Sequence, residues 1–190
     1  MICNDYIKEI QTELDLEYFA RKGINNCTPE WLRTPAPIAL GKFTATRVIM
    51  VDDEPYLQEI RNRFPKLRNY MEMMKFEPGV IPIHTDNKRS CALNIPILNC
   101  NEHTTTTFYQ ATAVEESFER FGDVPPRPWK SSEFISYYKD AKPMFSFQFQ
   151  KPVLFNTSKP HGIVNKSTGA RLLWTWTCDD TFENMKEMIQ

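Results

Sequence analysis

From residue 76 onward the sequence becomes a succession of short β-rich runs, at 80–84, 92–98, 104–110, 145–150, 153–156, 161–165 and 171–178. Turns of Pro, Asn, Gly and Ser separate them. A chain patterned in this way hides its strands by closing one sheet against another, which predicts a sandwich or barrel. Composition agrees: 14 Pro and 13 Phe against only 6 Gly imply rigid turns and an aromatic core. No glycine pattern able to cradle a phosphate occurs.

The 190 residues suffice for one domain with a substantial core, burying roughly 70% of the unfolded surface. Residues 1–75 read as support for a core at 76–178, with an insertion at 115–143 and a tail at 179–190. Ile7, Ile10, Leu14 and Phe19 share a face and predict a helix over 5–22. The segment 23–40, with Cys27, Pro29, Pro35 and Pro37, reads as a loop, and 41–51 as a strand. Asp53-Glu54-Pro55 is a helix start. From there Leu57, Ile60, Phe64, Leu67, Tyr70, Met71 and Met74 suggest a helix to about 75, kinked at Pro65, with this stripe as core packing. The insertion contains Gly122-Asp123-Val124-Pro125-Pro126-Arg127-Pro128-Trp129 and reads as a lid or a local helix.

With 23 Lys+Arg against 24 Asp+Glu the net charge is −1. Bulk nucleic-acid or anionic-membrane binding, which calls for a basic excess, is not expected. No apolar run is long enough to span a membrane, and no basic segment followed by an apolar one marks a leader. The five cysteines, an odd number without a CxxC pair, read as reduced thiols and, with the missing leader, as a cytoplasmic protein.

The chemistry rests on few residues. Of three histidines, His84 stands two residues before Asp86 at the end of a predicted strand. That spacing sends both side chains to one face. His161 follows 75 residues after Asp86, and Arg171 ten residues after His161. Two imidazoles and one carboxylate are the facial triad of non-haem Fe(II) oxygenases, which leaves three coordination positions open. An Arg is the cation suited to the far carboxylate of a chelating 2-oxo acid, because its fork binds carboxylate with two hydrogen bonds.

The stretches Pro78-Gly79-Val80-Ile81-Pro82-Ile83-His84-Thr85-Asp86, Cys91-Ala92-Leu93-Asn94-Ile95-Pro96-Ile97, Phe155-Asn156-Thr157-Ser158-Lys159-Pro160-His161-Gly162-Ile163-Val164-Asn165 and Arg171-Leu172-Leu173-Trp174 resemble the 2-oxoglutarate/Fe(II)-dependent oxygenase superfamily. Within it they look most like small aspartyl/asparaginyl- and prolyl-hydroxylase-like proteins of bacteria and phages. The resemblance covers about residues 76–178. It implies a double-stranded β-helix, a cupin-like jelly roll with flanking helices. His84, Asp86 and His161 would hold Fe(II), and Arg171 would hold the C5 carboxylate of 2-oxoglutarate. Many relatives carry Ser or Thr two residues after this Arg. Here Leu173 stands there, so Tyr109 or a Thr of 104–107 is the candidate second anchor. Asn94 is a candidate partner of the C1 carboxylate.

Relatives that halogenate replace the triad carboxylate with a small residue. Asp86 therefore implies hydroxylation of a C–H bond by O2, with succinate and CO2 released. The implied substrate is an Asp, Asn or Pro side chain of a protein; free amino acids, small metabolites and a modified base or nucleotide also stay open. For a phage-encoded member the cytoplasm is the host's.

Arg89, beside Lys88, is either a solvated turn or an attractor of anionic substrate. Arg127 and Trp129 would contact substrate if the insertion is a lid. Trp174 and Trp176 are most simply core, with Trp176 also a candidate pocket wall. His103 lacks the partners a zinc site needs. Two other readings stand beside the oxygenase: a cupin-type metal enzyme that uses no 2-oxoglutarate, and a jelly roll that binds without catalysis.

Overall fold

The computed structural model describes residues 2–11, 13–27, 43–86, 89–113 and 135–189; at 43–48, 113, 135–137 and 139 it describes the backbone alone. Ten strands and three helices follow in the order β1 (Ile7–Glu9), α1 (Leu16–Asn26), β2 (Phe43–Met50), α2 (Pro55–Arg63), β3 (Tyr70–Phe76), β4 (Gly79–Asp86), β5 (Cys91–Leu98), β6 (Thr104–Ala113), β7 (Ile135–Phe147), β8 (Val153–Phe155), β9 (His161–Asn165), β10 (Arg171–Cys178) and α3 (Phe182–Met188). Six strands form one antiparallel sheet in the order β1-β8-β5-β10-β3-β2, and β4-β7-β6-β9 close on themselves as a second. This is the sandwich-like closure that the run pattern predicts, and the cupin-like jelly roll that the resemblance implies.

The period of two on β10 explains the layering. Trp174, Trp176 and Cys178 point to one side, into a core with Phe19 of α1, Leu57 and Ile60 of α2, and Phe182 and Met185 of α3. Leu173 points the other way and packs against Met74, Phe76, Ile81 and Ile163 between the sheets. A third apolar cluster, with Phe108, Phe147, Phe149, Val153 and Phe155, fills the rest of that interior. Functional side chains inside the roll must therefore have the parity of Leu173, not of the tryptophans.

Several local expectations are corrected. Residues 5–22 are not one helix. Asn4 Oδ1 accepts the N–H groups of Tyr6 and Ile7, and 7–9 pair with β8 as an edge strand. The helix starts only after Asp15, whose carboxylate caps the Tyr18 N–H. It then runs through Asn26, inside the expected loop. The second helix does start with Pro55 in its first turn but stops at Arg63, and Tyr70–Phe76 is a strand. The apolar stripe is core as expected, with Leu57, Ile60, Phe64, Leu67, Met71 and Met74 buried; past Pro65 it serves a strand. Of the insertion, 135–143 belong to β7, and the rest, with Arg127 and Trp129, lies outside the described residues. The tail contains α3, which buries Phe182, Met185 and Ile189. Among the described residues no helix is long and apolar enough to cross a membrane.

Gly23 shows how tightly α1 sits on the sheet. A Cβ there would meet Ile97 Cγ2 at 2.8 Å and Cδ1 at 2.9 Å. Ala is the better helix former by about 1 kcal/mol, but overpacking costs about 1–3 kcal/mol. Gly23→Ala is thus expected to destabilise slightly, and Gly23→Val by clearly more, as read from denaturant midpoints.

Candidate functional site

β4 places His84 and Asp86 on one face, and its irregularity decides what they meet. The strand pairs with β9 from Gly79 to Ile81, shifts register, and brings His84 opposite His161. Beyond that point it pairs with β7. A register break of this kind re-aims a side chain. Here it joins two imidazoles that are 77 residues apart in sequence. Their ring centroids are 4.4 Å apart.

Both rings are held in the same tautomer. The Nδ1–H of His84 donates to the Pro82 carbonyl at 2.7 Å, and that of His161 to the Lys159 carbonyl at 2.9 Å. A carbonyl only accepts, so the proton is on Nδ1 and the Nε2 lone pair of each ring is left for a ligand. Phe155 stands edge-on to His161 at 4.8 Å and Phe108 lies at 5.8 Å. Burial in this apolar wall, reinforced by His84, pulls the His161 imidazolium down to about 3.

Asp86 is mostly buried. Arg89 donates from Nε to its Oδ2 at 2.8 Å, and Arg89 Nη1 stands 3.9 Å from Glu72 Oε2 on β3. Burial raises the Asp86 carboxyl, but the Arg89 charge and the two imidazoles outweigh it and hold the group below its ordinary value. Among the described residues no three His, Cys, Asp or Glu side chains stand within common reach of one ion. His84, Asp86 and His161 are electrostatic neighbours, and Asp86 Oδ1 would have to approach the imidazoles to complete a set. In kind the donors fit a divalent first-row metal: two imidazoles, each with its Nδ1–H spent on a backbone carbonyl, and one carboxylate with an oxygen to spare.

Thr157, a residue that the motif reading passed over, braces this corner. Its carbonyl accepts the Asp86 N–H, its own N–H donates to Ser90, and its hydroxyl donates to the Arg89 carbonyl at 2.6 Å. The loop before His161 thereby ties Asp86 and Arg89-Ser90 together. All three bonds end on backbone groups of those residues, so no side-chain spacing announces the role.

Arg171 opens β10 opposite Phe76 and points between the sheets. It is 1% exposed. Its guanidinium lies 4.3 Å from the Phe76 ring centroid and 5.1 Å from that of Phe149. Nε and Nη1 have no hydrogen-bond partner, and Asn94 Oδ1 and Thr106 Oγ1 are likewise buried and unpartnered. Burial pushes Arg171 down to about 10, so it remains charged at neutral pH. An unpaired buried cation is costly, and a carboxylate is the group that would satisfy it.

The remaining candidates separate by parity. Asn94 pairs with Thr175 on the inner face of β5. Thr106 shares the inward parity of Phe108. Tyr109 does not: its ring neighbours Gly162, where an added Cβ would be 3.6 Å away, on the outer face and away from Arg171. Trp176 faces the helices and donates its indole N–H to the Arg68 carbonyl at 2.7 Å, so it is core and not a pocket wall. Arg89 is engaged by Asp86 and Glu72 rather than free for substrate. Lys88 lies outside the described residues.

No family model matches the chain, and no curated protein matches it. Among solved structures it is similar to ligand-free L-ribose isomerase of Cellulomonas parahominis, at 14% identity and a TM-score of 0.40 over 85% of this chain and 79% of that one. L-ribose isomerase of Geodermatophilus obscurus gives 15% and 0.39 over 86% and 80%. Vicilin from Corylus avellana (hazelnut) gives 10% and 0.36 over 78% and 33%.

Proposed function

We propose that this protein is an Fe(II)- and 2-oxoglutarate-dependent oxygenase that hydroxylates a C–H bond of its substrate. The observation that carries the reading is Arg171, a buried guanidinium with two unpartnered N–H groups inside the same roll that pairs His84 with His161. A metal site alone needs no such cation; a dicarboxylate co-substrate does. Iron with 2-oxoglutarate would supply the oxidation of an unactivated C–H bond by O2, with succinate and CO2 released.

The chain's own residues do the rest. His84 and His161 present Nε2 because their Nδ1 protons are spent on backbone carbonyls. Asp86 contributes negative charge on the same face. Arg171 binds the C5 carboxylate, and Thr106, with its free hydroxyl, replaces Tyr109 as the second anchor. Phe108 and Phe155 keep water from His161. Asn94, on the inner face of β5 opposite Thr175, offers its side-chain amide N–H to the C1 carboxylate.

The test is an anaerobic titration of the metal-free protein with Fe(II) and then 2-oxoglutarate, followed by visible absorption. A weak charge-transfer band is expected only with both present, and is expected to vanish in His161→Ala. Iron binding without the band would favour a cupin-type enzyme that uses no 2-oxoglutarate. No iron binding would sink the oxygenase reading.

A further inference from the structure

Asp86 and Arg89 form an ion pair that the proposed chemistry does not use. Arg89 donates from Nε to Asp86 Oδ2 at 2.8 Å, while its Nη1 faces Glu72 Oε2 at 3.9 Å. The Arg89 side chain is 19% exposed and that of Asp86 12%, so the pair is largely withdrawn from water. Its backbone is fixed as well. Thr157 bonds the Asp86 N–H, the Arg89 carbonyl and the Ser90 carbonyl. The guanidinium thus faces carboxylates from two strands, and Thr157 fixes the backbone on both sides of the pair.

A carboxylate facing a metal with both oxygens free can chelate through two atoms, and doing so takes one of the positions that co-substrate and O2 need. A donor fixed on one oxygen removes that option. We propose that Arg89 is a positioning residue of the metal site: by occupying Asp86 Oδ2 it reserves Oδ1 as the single ligating oxygen, with Glu72 as its outer anchor. This rests on the reading of His84, Asp86 and His161 as metal ligands. Arg is suited to the task because its fork reaches two carboxylates at once. Partners of this kind, behind the ligands, typically govern metal affinity by about 10- to 100-fold.

The experiment titrates Co(II), a redox-stable probe, into the metal-free full chain by calorimetry and records the visible d–d absorption of the complex, which reports ligand number. Arg89→Met is expected to bind Co(II) about 10- to 100-fold more weakly and with an altered d–d spectrum, and its metal-free thermal midpoint falls because the Asp86 carboxylate loses its partner. Arg89→Lys, which keeps the charge and one donor, should recover part of the affinity. Glu72→Gln should weaken binding in the same direction by less, and with Arg89→Lys carries the test if Arg89→Met does not fold. Unchanged or tighter Co(II) binding in Arg89→Met, with the parent binding normally, overturns the positioning role and leaves the metal reading intact. No Co(II) binding by the parent overturns both.

Discussion

Replacing Arg171 by methionine is expected to raise the stability of the metal-free protein and to abolish 2-oxoglutarate binding. The two effects have opposite signs for one reason. Without co-substrate the guanidinium is a buried charge whose Nε and Nη1 bond to nothing. Burial depresses it from the ordinary arginine range to about 10, which corresponds to about 3 kcal/mol of disfavoured charge. The contacts with Phe76 and Phe149 return about 1–2 kcal/mol, and methionine retains much of the packing. A net gain of about 1–2 kcal/mol follows, or roughly 2–8 °C in thermal midpoint for a chain of this size. With co-substrate the sign reverses. The parent neutralises its cation with the C5 carboxylate, and the variant must bury that carboxylate without a partner. The loss is about 2–5 kcal/mol of binding, or roughly 30- to 5000-fold in Kd. Thermal shift measured with and without 2-oxoglutarate reads both effects together. A variant that is less stable would mean that the aromatic contacts outweigh the burial of the charge. A variant that still binds 2-oxoglutarate normally would remove Arg171 as the anchor.

The same residue shows what sequence can and cannot reveal. That His84 and Asp86 share a face follows from strand periodicity and needs no structure. That His161 meets His84 does not, because it depends on a register shift between Ile81 and His84; Pro82 marks the break, since it cannot donate to the ladder, but not the partner that the break brings opposite. Strand parity is legible as well. Arg171 and Trp176 differ by an odd number of positions on one strand, so they cannot both face the interior, and the indole is found among the helices. The same rule separates Thr106, beside Phe108, from Tyr109. The N-terminal misreading has a physical source too. Ile7, Ile10 and Leu14 satisfy a helical stripe, but strand pairing of 7–9 with β8 supplies hydrogen bonds that a lone helix turn there would not gain. The Asp15 cap marks the true start. Tyr70–Phe76 was ambiguous in the same way, its methionines fitting either period.

Acid is expected to unfold the metal-free protein through His161 before its carboxylates are reached. The imidazole is 3% exposed and its folded value lies at about 3, against about 6.5 in an unfolded chain. Below pH 6.5 the unfolded state takes up a proton that the folded state refuses, so stability falls as pH falls. The slope is about 1.4 kcal/mol per pH unit and the loss sums to about 5 kcal/mol by pH 3. Above 6.5 neither state is protonated there and the contribution is constant. Asp86 is held below its ordinary value of 3.8, so the interval from 6.5 to about 4 reports the histidine rather than the carboxylate. Urea unfolding in chelator across that interval should show the slope in the parent and lose it in His161→Gln. The parent and variant curves would then converge toward pH 4. Parallel curves would place the proton uptake elsewhere. The refusal of a proton also bears on the site's work: at neutral pH the Nε2 lone pair of His161 is already free, so a metal arriving there displaces no proton from this ligand. The apolar wall of Phe108 and Phe155 that costs the protein stability in acid is what keeps the ligand ready.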